Sequence, residues 1–152
     1  MNEILFENIN VYLLEKNENE IKNLLNVVLE KNGIKSSVDN IDEIFSNMKK
    51  YIQDSSAIII GALKNDKLIG FIWGYKLIVN LETRIHINYF VVNEGYRKHG
   101  IGNKLITELY KLARKENIKK VELMVTAKNE IATDFYKKQG FEIERVKLCK
   151  EI

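Results

Sequence analysis

The chain has 152 residues, of which 45% are hydrophobic and 30% are charged, with one cysteine and no proline. This composition suits one compact globular domain over residues 1–152 and excludes a disordered chain or a disulfide-stabilised scaffold. The 24 basic and 21 acidic residues give a net charge of +3, too balanced for a nucleic-acid-binding surface. No segment resembles a signal peptide or a membrane span, so we expect a cytoplasmic protein with no membrane partner.

The first third of the chain predicts a weak extended segment, residues 4–14, and then two amphipathic helices. Apolar residues recur at helical spacing from Glu18, and Gly33 is a suitable residue to end this helix. A second helical stripe covers residues 41–52, for which Ser37 or Asp39 is a candidate N-cap.

Strands dominate the next part of the chain and alternate with helices towards its end. The predicted strands are 57–63, 68–79, 84–92, 121–125 and 141–148. Simple alternation along the third of these strands places His86 and Phe90 on the same face. One helix follows Gly100 and another covers residues 130–138, so the order predicts an α/β fold with a mixed sheet covered by helices.

A glycine-rich turn joins the strand at 84–92 to the next helix, with the sequence Arg97-Lys98-His99-Gly100-Ile101-Gly102. Such a turn directs backbone N–H groups outward, and the helix N-terminus adds positive potential, which favours an anion. The turn lacks the third glycine of the dinucleotide-binding fingerprint and the Gly-Lys-Ser/Thr of a nucleotide-triphosphate loop. Taken alone, it is equally typical of an ordinary helix start.

Two motifs in the right order make the chain resemble the GNAT family of acetyl-CoA-dependent N-acetyltransferases. The first is Phe90-x-Val92 followed by Arg97-x-x-Gly100-x-Gly102. The second is Asn129-x-x-Ala132-x-x-Phe135-Tyr136-x-x-x-Gly140-Phe141. The hairpin containing Leu68-Ile69-Gly70-Phe71 also lies where the family has its second and third strands. The resemblance implies that family's fold, a mostly antiparallel central sheet with two splayed strands and about four flanking helices.

The resemblance also implies acetyl-CoA as co-substrate and no metal. In the family, the strand before the turn pairs with the pantetheine arm, the turn holds the pyrophosphate, and the asparagine contacts the arm. The positions of this chain that match are Phe90, Val91, Val92, Arg97, Lys98, His99, Gly100, Ile101, Gly102, Asn103, Asn129 and Tyr136.

Three residues are candidates for proton transfer. Tyr136 matches the tyrosine that lies near the cofactor sulfur in many family members and donates a proton to the thiolate; the alternative is an aromatic residue that only packs. His86 is the first candidate for the base that deprotonates the amine, because histidine titrates in the useful range. Glu82 is the second candidate and ordered water the third, and His86 without any role is the alternative.

The implied reaction is direct transfer of the acetyl group to a primary amine, with a small molecule as the expected acceptor. A protein N-terminus or lysine, and a non-catalytic acyl-CoA-binding module, remain open. Where the family often has a proline before the arginine, this chain has Glu94 and Gly95. We therefore expect Gly95 to shape a mobile turn over residues 93–96. We also expect an exposed sheet edge near the last strand, suited to a homodimer.

Overall fold

A five-stranded mixed sheet forms the centre of the fold. The strands are β1 (Ile4–Asn8), β2 (Ala57–Lys64), β3 (Lys67–Val79), β4 (Glu82–Val92) and β5 (Lys120–Leu123). The computed structural model describes residues 3–33 and 38–152. The strand order is β1-β2-β3-β4-β5; the first four strands run antiparallel to their neighbours, and β5 is parallel to β4. The predicted mixed α/β architecture is thus confirmed.

Within the described residues, five α-helices cover the sheet, where about four were expected. They are α1 (Val11–Lys16), α2 (Glu18–Lys31), α3 (Val38–Gln53), α4 (Ile101–Lys115) and α5 (Glu130–Lys138). The additional helix is α1, so the predicted extended segment is wrong beyond Asn8. Asn10 starts α1, because its side-chain oxygen accepts a hydrogen bond from the backbone of Leu13 at 2.8 Å. Ser37 and the side chain of Asp39, the candidate caps of α3, lie outside the described residues.

Each face of the sheet carries its own hydrophobic core. On one face, α1, α2 and α3 pack against the strands, and Phe71 and Met48 are fully buried there. On the other face, α4 packs through Leu105 and Leu109 against Ile72. Because alternate residues of β3 point to opposite cores, the strand is buried on both sides over most of its length.

Both hairpin turns are formed by residues in the left-handed conformation, in a chain that has no proline. Asn65 and Asp66 join β2 to β3 with φ values of 51° and 62°. Asn80 and Leu81 join β3 to β4 with φ values of 51° and 67°. Two successive left-handed residues are the geometry of a type I′ turn, which suits the twist of a hairpin. Asn65, Asp66 and Asn80 tolerate this conformation well, whereas Leu81 adopts it without that preference, and both turns form without glycine or proline.

The end of the chain differs from the prediction. Strand β5 ends at Leu123, and the predicted strand over 141–148 is wrong, because the structure has no strand there. Ile143 and Leu148 are exposed to 77% and 90%. An extended segment becomes a strand only when a neighbouring strand satisfies its backbone groups, and β5 pairs only with β4 among the described strands. None of the helices in the described ranges is long and apolar enough to cross a membrane.

Asn17 provides a test of how the α1–α2 junction is attached to the sheet. Its side chain is 2% exposed, accepts a hydrogen bond from the backbone of Leu68 at 2.9 Å and donates one to the Leu13 carbonyl. We expect Asn17→Ala to lower the free energy of unfolding by about 2 kcal/mol, because the buried Leu68 N–H loses its acceptor. Urea unfolding measures this change. The exposed Asn19 gives the control, whose alanine variant should stay within about 0.5 kcal/mol of wild type; equal effects would contradict the assignment.

Candidate active site

The site lies where two neighbouring parallel strands separate. Pairing between β4 and β5 ends at Ile87 with Leu123, whereas β4 continues to Val92. The edge of residues 88–92 that faces away from β3 therefore has no strand partner in the described sheet. Unpaired backbone donors and acceptors along a strand edge can bind an extended ligand as an added strand does. We call this separation the strand opening.

A β-bulge at Asn88 determines which side chains surround the strand opening. Trp73 pairs with Tyr89, but the next residue of β3 pairs with Ile87, so Asn88 is the extra residue of β4. As a result, Ile87 packs into the same core as Phe90, and Tyr89 packs into the other. The prediction that His86 and Phe90 share a face is therefore wrong, because simple alternation assumes an unbroken strand.

The turn before α4 leaves several backbone donors without acceptors in the helix. Gly100 has φ +77° and provides no capping side chain, and the first helical bond runs from Lys104 N–H to the Gly100 carbonyl at 3.1 Å. The N–H groups of Ile101, Gly102 and Asn103 accordingly lack an intrahelical acceptor. Such a helix N-terminus attracts anions through these donors and its dipole.

Basic side chains surround this helix N-terminus. Arg97 donates from Nε to the Val92 carbonyl at 3.1 Å, which ties the turn to the end of β4. Lys31 lies at the end of α2, near Arg97. Burial lowers the pKa of Lys31, and the positive charge of Arg97 lowers this pKa further. Lys98, at φ 63°, and His99 are exposed on the same turn. The Glu94 carboxylate acts in the opposite direction and raises the pKa of Lys31, so charges of both signs lie near this turn.

Asn93, and not Gly95, shapes the approach to the turn. A short 3-10 helix, Glu94–Tyr96, follows Asn93, whose side-chain oxygen accepts from the Gly95 N–H at 3.0 Å. The Asn93 N–H bonds to the Ile69 carbonyl at 2.7 Å. Gly95 is not among the residues with positive φ, so its conformational freedom is not used. The expectation that Gly95 shapes this turn is wrong, whereas its mobility stays a prediction.

An aromatic cluster lies beside the strand opening and contains Tyr136. The rings of Phe90 and Phe135 are 5.6 Å apart, and Tyr136 lies 5.4 Å from Phe135 and 5.5 Å from Phe141. Burial raises the pKa of Tyr136 to about 12, with a smaller contribution from Tyr110. The Tyr136 hydroxyl therefore stays protonated through neutral pH and can act as a hydrogen-bond donor.

Asn129 begins α5, the helix that carries Tyr136. Its side-chain oxygen accepts a hydrogen bond from the Ala132 N–H at 3.2 Å, which makes it the N-cap. The side-chain amide group remains the part of Asn129 that can donate to a ligand. At the other end of α5, Gln139 donates from Nε2 to the Asn103 side-chain oxygen at 2.7 Å, so α5 is joined to the start of α4.

His86 lies on β4 just before the strand opening. Its Nδ1 is 3.0 Å from Oε2 of Glu122 on β5, and its ring centroid is 5.2 Å from that of Tyr75 on β3. The side chain is 13% exposed. His86 is therefore a largely shielded histidine with a carboxylate partner, near the residues where β4 and β5 separate.

Glu82, the second candidate base, lies at the start of β4. Its carboxylate is 3.3 Å from Lys120 Nζ and 3.9 Å from Arg84 Nη2. Six residues separate it from Asn88 along the strand, which corresponds to roughly 20 Å. This placement favours His86 over Glu82 for a proton transfer at the strand opening. Within the described residues, no group of three or more His, Cys, Asp or Glu side chains is arranged to hold a metal ion.

Comparison with known proteins agrees with this geometry. The family model of the acetyltransferase (GNAT) family matches residues 20–141, which include the strand opening, the glycine turn and Tyr136. The chain belongs to the acetyltransferase (GNAT) family. The predicted family and enzyme class are thus confirmed.

Individual GNAT relatives cover different parts of the chain. An uncharacterised N-acetyltransferase of Methanocaldococcus jannaschii, MJ1207, is 36% identical over 85 residues, covering 54% of this chain and 38% of that protein. The spermidine N(1)-acetyltransferase of Thermoplasma acidophilum is 31% identical over 87 residues, covering 57% of this chain and 52% of that protein. These matches therefore span about half, or less, of the relatives' length.

A solved structure extends the likeness to nearly the whole fold. An acetyltransferase of Clostridium acetobutylicum, described as predicted and solved with acetyl-CoA, superimposes with a TM-score of 0.80. The alignment covers 97% of this chain and 96% of that one at 16% sequence identity. At this identity, the likeness concerns the fold alone.

Two residues next to the candidate site, Lys31 and Glu122, are missing from the sequence-based expectations. Lys31 approaches Arg97 from a helix that ends 66 positions earlier in the chain. Glu122 meets His86 only through the parallel register of β4 and β5. No local motif signals either contact. A parallel pairing of the two strands, aligned at residues 86 and 122, is the one assumption that would have found Glu122.

The turn before the 3-10 helix gives a test of the role assigned to Asn93. We expect Asn93→Ala to lower the free energy of unfolding by about 1 kcal/mol, because the Gly95 N–H loses its acceptor. Gly95→Ala is the matched control: a Cβ there would meet only the Asn93 side-chain oxygen at 3.5 Å, an ordinary contact. This variant should equal or slightly exceed wild type in stability. A larger loss for Gly95→Ala than for Asn93→Ala in thermal unfolding would contradict the assignment.

Proposed function

We propose that this GNAT-family protein transfers the acetyl group of acetyl-CoA to a primary amine of a small molecule by direct attack. The observation that carries the proposal is the position of the strand opening next to an uncapped, basic helix N-terminus. An extended acyl carrier with a pyrophosphate needs both features side by side. The strand edge suits the amide-containing arm, and the helix N-terminus suits the phosphates.

The residues that would hold acetyl-CoA are those along this path. The free edge of Phe90, Val91 and Val92 would offer backbone groups to the pantetheine arm. The side-chain amide of Asn129, at the start of α5, would donate a hydrogen bond to the same arm. The N–H groups after Gly100, with Arg97 and Lys98, would bind the pyrophosphate. The remaining members of this proposed set are His99, Ile101, Gly102 and Asn103. The thioester supplies an activated acetyl group, and a backbone N–H of β4 would stabilise the negative charge that develops on its oxygen.

His86 is the proposed base. A primary amine with an ordinary pKa near 10.4 is mostly protonated at neutral pH and cannot attack in that form. A nearby imidazole that accepts the proton makes the amine lone pair available. The position of His86, one residue before the end of strand pairing, supports this role better than the more distant Glu82.

Tyr136 is proposed to donate a hydrogen bond to the departing sulfur. Its pKa of about 12 lies well above that of a thiol, so complete proton transfer to the sulfur is unfavourable. A neutral phenol that stays protonated can nevertheless stabilise the developing charge by hydrogen bonding. The aromatic cluster around Tyr136 partly shields this hydrogen bond from water, which strengthens it.

The acceptor is the least determined part of the proposal. A small-molecule amine is supported by the name of one relative, a spermidine N(1)-acetyltransferase. Release of free CoA thiol over a panel of amines tests this directly. Turnover with polyamines, aminoglycosides or amino acids would support the proposal. Turnover with peptide N-termini or peptide lysines alone would instead favour a protein substrate, and binding without any turnover would favour an acyl-CoA-binding module.

Binding of acetyl-CoA is expected to raise the melting temperature by about 5–10 °C at roughly 100 times its Kd. Gly100 offers a matched pair of variants, because a Cβ there would meet nothing within 4 Å. Asparagine and aspartate both tolerate left-handed φ, but only aspartate brings a negative charge. We expect Gly100→Asp to abolish the thermal shift and Gly100→Asn to keep most of it. Equal shifts of the melting temperature in both variants would show that the pyrophosphate does not bind at this turn.

Replacement of Tyr136 by Phe should lower kcat about tenfold to a hundredfold, because the hydrogen bond to the sulfur is lost. The Kd of acetyl-CoA should change little, since the ring remains in place. Tyr110 is a partly buried tyrosine nearby whose pKa is also raised by burial, and Tyr110→Phe should leave kcat within about twofold. Steady-state kinetics decide the matter, and an unchanged kcat for Tyr136→Phe would exclude its proposed role.

The same pKa sets an expectation for alkaline pH. Because Tyr136 must be protonated to donate, its contribution is present below its pKa and is lost as pH rises through about 12. In the pH profile of kcat, no descending limb due to this residue should occur below about pH 11. A descending limb below pH 10 that disappears in Tyr136→Phe would contradict this account.

A further inference from the structure

Glu122 has no part in the reaction described so far, although it touches the proposed base. We propose that Glu122 is a positioning residue, which holds the His86 ring with Nδ1 protonated so that Nε2 accepts the proton of the amine. This inference rests on the proposed function, in which His86 is the base. The observation that supports the positioning role is the 3.0 Å contact between His86 Nδ1 and Glu122 Oε2.

The chemistry of the two groups determines which nitrogen carries the proton. An ionised carboxylate can only accept hydrogen bonds, so the Nδ1 that faces Glu122 must be the donor. In the neutral ring, the lone pair then lies on Nε2. An isolated imidazole exchanges between both tautomers, and the contact with Glu122 selects the one that leaves Nε2 free.

The backbone fixes this contact. His86 and Glu122 are partners in the parallel register of β4 and β5, one residue before the last pair of the ladder. Both side chains are largely shielded, with 13% and 29% exposure. The contact is therefore formed by two strands held together by the ladder, and it lies at the near end of the strand opening.

Arg84 fixes the other oxygen of Glu122. Its Nη1 is 3.5 Å from Glu122 Oε1, and it makes shorter contacts of 3.0 and 3.1 Å to Glu144. Arg84 is 7% exposed, so its charge needs these carboxylates. Glu122 thus has one oxygen towards Arg84 and one towards His86, which restricts rotation of the carboxylate.

Other groups around His86 also bear on its protonation. Tyr75 contacts the ring from β3, and Glu82 and Lys120 form an ion pair at the start of β4 and β5. Glu144 reaches the cluster from the segment after α5 through Arg84. Among these, Glu122 is the carboxylate in direct contact with the imidazole.

The proposed step conserves protons. The ammonium of the acceptor transfers one proton to Nε2, and the freed nitrogen lone pair forms a C–N bond to the thioester carbonyl as the C–S bond breaks. The sulfur leaves with the electron pair of the C–S bond as a thiolate, and the second proton lost from nitrogen as the amide forms neutralises that thiolate. The ring then carries protons on both nitrogens, and the Glu122 carboxylate stabilises this cation. Loss of the Nε2 proton to solvent returns the histidine to its starting state.

The main rival is a purely structural Glu122, whose only task is to neutralise Arg84. Two isosteric variants separate the possibilities. Glu122→Gln keeps the shape but removes the charge next to His86. Glu144→Gln removes the carboxylate closest to Arg84 without touching the histidine. A structural role predicts similar effects of both variants, whereas a positioning role predicts an effect of the first alone.

The experiment is the pH profile of kcat/KM for wild type, Glu122→Gln, Glu144→Gln, His86→Gln and the double variant His86→Gln/Glu122→Gln. We expect Glu122→Gln to lower the plateau about tenfold, because the imidazole loses the carboxylate that selects its tautomer. Glu144→Gln should stay within about twofold of wild type. His86→Gln should lose the ascending limb, and the double variant should be no slower than His86→Gln.

The outcomes separate this inference from the proposed function. Equal effects of Glu122→Gln and Glu144→Gln, or additive effects in the double variant, would overturn the positioning role. An unaltered pH profile for His86→Gln would overturn it too, whereas acetyl transfer itself would then still stand. If no variant, wild type included, shows turnover or an acetyl-CoA thermal shift, the proposed function fails at its base.

A spectroscopic readout keeps the inference testable if Glu122→Gln loses stability. Nitrogen-15 NMR of the full chain reports the tautomer of each imidazole, and His99, the other histidine of the sequence, serves as internal reference. We expect the Nδ1–H tautomer of His86 in wild type and a mixture in Glu122→Ala, with His99 unchanged. An Nε2–H tautomer of His86 in wild type would overturn the proposal.

Discussion

The separation of β4 from β5 after Ile87 is the constraint on which the rest of the site depends. A strand inside a sheet must satisfy its backbone groups on both edges, and β4 does so on one edge only over residues 88–92. The bulge at Asn88 lies where the separation begins and turns Phe90 towards α4 and Tyr89 towards α2 and α3. The glycine turn then starts α4 beside the free edge, so a strand edge and a positive helix end adjoin each other.

Two titratable side chains near this opening, Tyr136 and His86, lie in different surroundings. Burial within the aromatic cluster raises the pKa of Tyr136, which keeps its phenol neutral. By contrast, His86 contacts the Glu122 carboxylate, whose other oxygen lies 3.5 Å from Arg84. In the proposed reaction, the neutral phenol of Tyr136 would donate a hydrogen bond to the sulfur and His86 would accept the proton of the amine. Enzymes often use pairs of titratable groups in different surroundings as the acid and the base of a reaction.

Most of the fold could be predicted from the sequence, because runs of β-branched residues and helical stripes mark elements locally. The same patterns failed where structure depends on distant partners. The pattern of residues 141–148 predicts a strand, but this segment has no neighbouring strand in the described sheet, and Ile143, Val146 and Leu148 are exposed. The bulge at Asn88 leaves no signal in the alternation, so alternation alone wrongly places His86 and Phe90 on the same face. At the site, the motifs indicated the turn and Tyr136, whereas Lys31 and Glu122 depend on tertiary contacts that no motif records.

The absence of proline also has a structural answer. Both hairpins use asparagine in left-handed turns, and Asn93 caps the turn that leads to Arg97.

The central claim is that acetyl-CoA binds along the free edge of β4. Amide hydrogen exchange of residues 88–92 with and without acetyl-CoA is its most direct test. We expect acetyl-CoA to slow exchange at those N–H groups of this segment that do not bond to β3, and at Ile101 to Asn103, and to leave β2 unaffected. Unchanged exchange over residues 88–92 at saturating acetyl-CoA would contradict this claim.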